Sequence, residues 1–511
     1  MQKSRRCGDP DVRAIMEAGT ESVEWVRQEF ARADLSDKRL DRRLVKTAEY
    51  LAQSPGSPIN EACGNWASTQ AAYRLFNNAK ASAAGILKPH WEATAARMAG
   101  CGGAVLVMQD TVFFSYGRHV RTRGLGPIGK SNAAHDRGLI MHNALAFTTS
   151  GVPLGIVSQS IWARGEIPEE DYQEKIERLQ VTAIEEKESA KWLIALKETV
   201  ERAPAGVPVV TVADRESDFF EFLTRAQDLQ AHYLIRARTD RKLVPEDSAG
   251  CTRMLEALSD APAWGSMTIE VPGNGSRKAR TAAIEVRTAE VTIQPPPRRG
   301  AAQTSGSSEP VTVTLIGATE SSPPAGVEPI SWVLLTNLIV KDFASATEKV
   351  RWYGRRWGIE IWHKVLKSGC KVEDCLLEEA LRLKRYLTLF SIIGVRLMHV
   401  TYLARAHPDR PATEVFSEEE VEALHIRVTR ALPPQVLPRR CATWCACWAG
   451  SAATWAARGM ANPASPCSGA AGRVFTRRSR HCVPINMSSA RATRAERCAT
   501  ADESLHQPRS R

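Results

Sequence analysis

The chain has 511 residues, 43% of them apolar and 24% charged, a balance that excludes disorder as its main state and predicts about three or four structural units. Residues 1–13 are polar and basic without the apolar core of a secretory signal, and the longest apolar run, 386–395, is far short of the roughly 20 residues of a membrane span. Neither export nor membrane insertion is expected. The formal net charge of +11 is unevenly spread: residues 439–511 hold twelve Arg, no Lys and three acids, a net of +9, which leaves +2 for residues 1–438. Net charge is therefore a poor argument for a polyanionic partner, and any such case rests on local sites.

Residues 1–20 are expected to be disordered. From 21 to 100 the pattern is helical: Trp25, Val26, Phe30, Leu40, Leu44 and Leu51 recur at helical spacing, with Arg27, Lys38, Arg39, Arg42, Arg43 and Lys46 between them. A helical module with a basic side could bind DNA, and a solvated charged face explains the same pattern. From Ala104 the period shortens. Residues 104–108 read as a strand ending at Gln109-Asp110-Thr111, 139–147 and 154–160 as strands around the turn Thr149-Ser150-Gly151, 185–202 as a helix, and 207–212 as a buried strand ending at Asp214. This order predicts an α/β layer with an Asp at the end of two strands, where open α/β sheets carry their chemistry. Residues 241–340 read as a β-rich insertion: strands at 267–271, 283–293, 311–316 and 330–336 are separated by Gly-, Ser- and Pro-rich linkers.

Ser345-Ala346-Thr347-Glu348 resembles a capping box and Gly369 a stop, which predicts one helix of about six turns between them. At 100° per residue, Tyr353, Arg356, Glu360, Lys364 and Lys367 share an arc of roughly 80°. Ile359, Ile361, Trp362, Val365 and Leu366 fill the other side, and Trp352 and Trp357 flank the polar stripe, which is expected to look outward. A surface helix laced with ion pairs reads the same way, since Glu360 and Lys364 have the stabilising i,i+4 order. Asp110 and Asp214 tip the balance. Three carboxylates brought together repel unless a divalent cation neutralises them, and oxygen-only ligands suit Mg²⁺ or Mn²⁺. Two such ions about 4 Å apart can activate a water or 3′-hydroxyl in phosphodiester chemistry.

With these residues the sequence resembles the DDE transposases of the bacterial insertion-sequence-four family, which includes the transposase of transposon five. The family signature is Tyr, two residues, Arg, three residues, Glu, six residues, Lys; Tyr353, Arg356, Glu360 and Lys367 keep every spacing. Similarity extends to Val107-Met108-Gln109-Asp110-Thr111, to Ala213-Asp214-Arg215-Glu216-Ser217-Asp218, to Glu188-Ser189-Ala190-Lys191-Trp192-Leu193 and to Ala72-Tyr73-Arg74-Leu75-Phe76, over about residues 21–405. The resemblance implies a helical DNA-binding domain at 21–100, then a ribonuclease-H-like catalytic domain at 101–240 and 341–405 split by the insertion. It further implies metal ligation by Asp110, Asp214 and Glu360, with two Mg²⁺ (or Mn²⁺) per site. Tyr353, Arg356, Lys364 and Lys367 would contact DNA, as would Arg236 and Arg238 after a strand at 233–235. Trp332 would stack on a flipped base, although alone it reads as a core residue. The implied partners are terminal inverted repeats and target DNA, in a homodimeric synaptic complex in the bacterial cytoplasm at the nucleoid. The implied reaction is cut-and-paste transposition through a hairpin intermediate.

The resemblance fades beyond about residue 435. Residues 406–438 read as the degenerate start of a C-terminal dimerisation region. The tail 439–511 loses hydrophobic periodicity and holds six of the twelve Cys. Cys441, Cys445 and Cys447 lack a second pair at zinc-finger spacing, so a frameshift near 434–440 is the simpler account. The other six Cys read as reduced cytosolic thiols. Three further readings stay open: a catalytically idle DNA-binding protein or transposition inhibitor, a ribonuclease-H-like nuclease acting on other nucleic acids, and, more distantly, a metal-free hydrolase with paired carboxylates such as a glycosidase.

Overall fold

A computed structural model describes residues 24–271, 279–297, 309–406 and 421. The expectations for residues 1–20, for 407–438 apart from Val421, and for the tail 439–511 lie outside the described residues. The fold is mixed α/β, with a helical N-terminal region and a large sheet after it.

Five helices come first among the described residues: α1 (Glu24–Glu29), α2 (Lys38–Gln53), α3 (Ile59–Cys63), α4 (Trp66–Asn77) and α5 (Ala83–Ala99). Asp37 starts α2 by accepting from the Arg39 N–H at 2.9 Å, and Asn65 starts α4 by accepting from the Ser68 N–H at 2.9 Å. Leu40, Leu44 and Leu51 bury the apolar side of α2, as their spacing predicts, and Ala72, Leu75 and Phe76 do so for α4.

Ten strands form one sheet: β1 (Val105–Ser115), β2 (Gly126–Pro127), β3 (Arg137–Thr148), β4 (Pro153–Trp162), β5 (Val209–Ala213), β6 (His232–Arg236), β7 (Ala263–Val271), β8 (Arg280–Ile293), β9 (Val311–Glu320) and β10 (Ser331–Thr336). Their order is β2-β3-β1-β5-β6-β10-β9-β8-β7, with β4 on β3. The strands of 241–340 make no sheet of their own. β10 pairs antiparallel with β6, Leu334 opposite Arg236, so β7–β10 lengthen the sheet from that edge.

β1 is the hinge of the topology, antiparallel to β3 and parallel to β5. It also corrects an expectation, because Asp110 does not end a strand. The β1–β3 ladder runs unbroken from Val105 opposite Thr148 to Ser115 opposite Gly138, so β1 continues five residues past Asp110. The polar trio Gln109-Asp110-Thr111 resembles a strand end only because its side chains serve polar neighbours instead of the core. Alternation assigns Leu106, Met108, Asp110, Val112 and Phe114 to one face and Val105, Val107, Gln109 and Thr111 to the other.

The remaining helices are α6 (Tyr172–Val181), α7 (Ala190–Arg202), α8 (Phe220–Asp228), α9 (Met254–Asp260), α10 (Phe343–Gly354), α11 (Trp357–Lys364) and α12 (Ala380–Ala406). The expected six-turn helix is broken. It begins at Asp342, whose side chain accepts from the Ser345 N–H at 2.7 Å while Ser345 Oγ accepts from the Asp342 N–H at 3.1 Å, so the cap lies three residues before the expected one. The helix stops at Gly354, restarts as α11, and widens into a π-helical turn over Val365–Gly369. Gly354, a poor helix former, sits at the break. Gly358 lets α11 approach the sheet: a Cβ there would sit 3.1 Å from the Phe147 ring and 3.6 Å from Met108 Sδ. Ile359, Trp362, Val365 and Leu366 are buried, as the apolar side predicted.

No helix among the described residues is long and apolar enough to cross a membrane. The described cysteines, Cys63, Cys101, Cys251, Cys370 and Cys375, form no disulfide.

The helical region is tied to the sheet by a buried polar cluster. Arg97 on α5 donates to both oxygens of Glu29 on α1, at 2.9 and 3.0 Å, and also to the Leu154 carbonyl on β4. His90 bridges the same elements: Nε2 accepts from the Ile156 N–H at 2.9 Å, so the neutral ring directs Nδ1–H at Glu29. Burial works against the Glu29 charge, but His90 and Arg97 outweigh it and hold the carboxyl down to about 2. Glu29→Ala leaves Arg97 facing a buried hole, and is expected to cost about 3 kcal/mol in chemical denaturation at pH 7. Because the Glu29 pKa is depressed from 4.5, the wild-type advantage is present above that value and fades as pH falls towards 2.

Candidate active site

The β1–β5 register pairs Met108 with Val212; continued two residues, it brings Asp110 level with Asp214, just past the end of β5. Alternation directs both towards the face that α11 covers. Asp110 Oδ1 accepts from the Thr111 N–H at 2.8 Å, and Asp214 caps a short turn by accepting from the Glu216 N–H at 2.9 Å. Glu360 enters from the first turn of α11. The three carboxylates feel one another. Burial pushes Asp110 up to about 7; the Thr111 N–H and Arg356 oppose the shift, and the charges of Asp214 and Glu360 add to it. Burial likewise raises Glu360, against the pull of Arg356, and Asp214 adds to the rise.

Arg356 is the local counter-charge. Its Nη2 lies 2.6 Å from Glu360 Oε1, its side chain is largely buried, and Nη1 is buried without a hydrogen-bond partner. Tyr353, expected on an outward stripe, is 5% exposed, because it belongs to α10 and turns inward. The charges of Arg356 and Arg236 both act on it, and its ring meets Trp332 edge to face with centroids 5.1 Å apart. Trp332 is half-buried, and the Arg236 Nη2 also donates to the Ser331 carbonyl at 2.9 Å. Tyr353, Arg356, Arg236 and Trp332 thus form one cationic and aromatic wall beside Glu360.

Other expected DNA contacts stand apart from this wall. Lys364 is exposed on α11. Lys367 rides the π turn, 3.5 Å from Glu373 Oε1 and 5.7 Å from the centroid of the Phe114 ring. Arg238 is exposed beyond β6, its backbone N–H donating to Asp218. On α2 and its neighbours, Arg27 and Lys46 pair with Glu49 at 2.8 and 3.1 Å, and Lys38 lies 3.6 Å from Asp41. Much of that basic side is therefore neutralised internally.

Among the described residues, no three His, Cys, Asp or Glu side chains are gathered closely enough to hold a metal ion, and Arg356 holds Glu360 to itself. Sequence reasoning missed the polar residues behind the carboxylates. His363, one turn after Glu360, has its Nδ1 3.8 Å from Asp110 Oδ2. Asn143 stands opposite Asp110 on β3, and His142, opposite Thr111, accepts or donates at 2.9 Å to its hydroxyl. The signal was present: His142-Asn143 interrupts an otherwise apolar run, 139–147. Burial lowers the His363 pKa to about 3, and the charges of Lys367 and Arg356 push the same way, so its ring is neutral.

The neutral Asp110 form favours the fold below its ordinary value of 3.8, and that contribution is lost as pH rises through about 7. With divalent ions chelated, Asp110→Asn is expected to match wild type at pH 4 and to exceed it at pH 8 by roughly 2 kcal/mol in thermal or chemical unfolding. Equal stabilities at pH 8 would mean that Asp110 is not strained by its site.

Two families match the chain. Residues 22–81 match the family described as Transposase DNA-binding, and residues 175–393 match that described as Transposase DDE domain. The first covers α1–α4; the second contains Asp214 and Glu360 and begins after Asp110 in sequence. DDE domains of this kind generally use divalent metal ions. The chain therefore carries a transposase DNA-binding domain followed by a DDE transposase domain.

Proposed function

We propose that this protein is an insertion-sequence transposase of the insertion-sequence-four type, with Asp110, Asp214 and Glu360 as its catalytic carboxylates on a ribonuclease-H-like domain (residues 101–240 and 341–405, interrupted by the insertion at 241–340). What supports the reading is that the β1–β5 register brings Asp110 level with Asp214 and that the charges of Asp214 and of Glu360, on α11, both act on Asp110. The carboxylates sit beside a wall whose charge and aromatic surface suit a nucleic-acid backbone. The donor set fits a divalent cation: all donors are oxygens, and the strain on Asp110 is of the kind that a cation relieves. Asp110, Asp214 and Glu360 would hold Mg²⁺ or Mn²⁺, two ions per site by family resemblance, and Glu360 would first have to give up Arg356. Such ions supply an activated attacking oxygen and stabilisation of the leaving oxygen in phosphodiester displacement.

The chain's own residues do the rest. Arg356, released from Glu360, has its fork of donors free for a phosphate, and Arg236 and the Tyr353 hydroxyl lie within the same network. Trp332 offers its half-exposed ring where an unstacked base can rest. Lys364, Lys367 and Arg238 extend the contact along the backbone. On α4, Trp66 and Tyr73 are 72% and 42% exposed, with Gln70 and Arg74 on the same side, a surface suited to reading terminal inverted repeats. The family resemblance extends this to cut-and-paste transposition: a freed 3′-hydroxyl forms a hairpin on the opposite strand before transfer into target DNA. A homodimer in the synaptic complex and a cytoplasmic, nucleoid-associated location belong to the same reading. A frameshifted tail would leave end binding without productive synapsis.

With inverted-repeat ends and Mg²⁺, Glu360→Gln is expected to lower cleavage by roughly a thousandfold or more while leaving end binding nearly unchanged. Cleavage retained in that variant would sink the three-carboxylate site. Binding without cleavage by the wild-type chain would favour the idle DNA-binding protein, and cutting that ignores the repeats would favour a general nuclease. Lys367→Ala is expected to weaken binding to all sequences alike and to lower the salt slope by about one. An unchanged slope would take Lys367 off the phosphates.

A further inference from the structure

Behind Asp110 lies a chain of buried polar side chains drawn from four elements. Ser391 on α12 directs its hydroxyl proton to the Leu387 carbonyl at 2.7 Å, with Met141 Sδ the other acceptor in reach at 3.8 Å. Its oxygen can therefore only accept from Gln159 on β4, whose Nε2 lies 2.9 Å away. The same Nε2 is 3.0 Å from Asn143 Oδ1, and flipping the Gln159 amide would set two acceptors against each other, although the present orientation leaves Gln159 Oε1 buried without a partner. Asn143 thus turns its Nδ2 to His363 Nε2, 3.5 Å away, which must carry the lone pair. The ring proton is left on Nδ1, the atom facing Asp110 Oδ2 at 3.8 Å.

We propose that His363 is a positioning residue for Asp110, its Nδ1–H aimed at Oδ2 by the buried chain of Asn143, Gln159 and Ser391. The inference rests on the three-carboxylate reading above. The Thr111 N–H secures Oδ1 at 2.8 Å, so an oriented donor on the other side leaves the carboxylate little freedom to rotate. At 3.8 Å the imidazole acts as an aimed N–H dipole, and it becomes a hydrogen-bond donor only as the site tightens around its ligands. Partners of this kind, one step behind a metal-binding carboxylate, set its orientation and its affinity for the ion. Asn143, Ser391 and His363 are 0%, 0% and 7% exposed, so the Asn143–His363 contact is shielded from water, and Gln159 is half-buried.

The test is Mn²⁺ binding to the full-length, DNA-free chain, measured by calorimetry or by electron spin resonance, with unfolding curves run alongside. Wild type is expected to bind and Asp110→Asn to lose binding. His363→Leu is expected to bind about tenfold more weakly. His363→Asn, whose amide N–H can stand where Nδ1–H stood, is expected to recover most of the loss, whereas His363→Gln is not. Wild-type affinity in His363→Leu overturns the inference and leaves the three-carboxylate reading intact, and so does equal behaviour of the Asn and Gln variants. No Mn²⁺ binding by wild type overturns both. If the Leu variant does not fold, ring-nitrogen resonances of labelled histidine in the wild-type chain decide: a proton on Nδ1 of His363 supports the inference, and one on Nε2 overturns it.

Discussion

The pairing of β1 with both β3 and β5 is the constraint on which the site depends. β1 is the strand at which antiparallel pairing gives way to parallel pairing, and the two ladders together fix its register. The parallel ladder brings Asp110 level with Asp214, and the antiparallel one sets Asn143 opposite Asp110. A slip of one residue would turn Asp110 to the far face and carry Val107 or Gln109 into the wrong layer. Register is strongly specified here because both faces are packed. Leu106, Met108 and Phe114 belong to the core under α11 and α12, while Val105 and Val107 belong to a separate cluster with Met98 and Ala195.

Charge balance is the second organising force. Asp110 and Glu360 lie near enough to Asp214 to feel its charge, and burial pushes both of them towards the protonated form. Arg356 offsets part of that cost by pairing with Glu360, and in doing so competes with any cation for the same carboxylate. The break at Gly354 and the restart at Trp357 make this possible. An unbroken helix would have set Tyr353 on the stripe with Glu360; the break turns Tyr353 inward, where it joins Arg236, Arg356 and Trp332.

The helical region is no loose appendage. Glu29, His90 and Arg97 connect α1 and α5 to the carbonyl and N–H groups of β4, the strand that also contributes Gln159 behind Asp110. The helical region and the proposed catalytic Asp110 are thus joined through one strand by directional contacts, which hold geometry better than apolar packing alone.

What the sequence determined by itself was local. Period-3.6 and period-2 patterns located the N-terminal helices and most of the strands, though not the full length of β1 nor α6, α8, α9 and α12, and the spacing from Tyr353 through Arg356 and Glu360 to Lys367 singled out the segment of α10 and α11, because residue type and separation along the chain carry that information directly. The polar run Gln109-Asp110-Thr111 misled for the same reason: locally it reads as an end, and only the long β3 partner shows that the strand continues. Tertiary structure alone decided that the 241–340 strands extend the main sheet. It also decided that the helix starts at Asp342 and breaks at Gly354, that Glu49 neutralises part of the basic side, and that His363 faces Asp110. Each depends on which distant backbone and side-chain groups satisfy a hydrogen bond or a charge, and sequence spacing says nothing of partners that lie 31, 220 or 250 residues away.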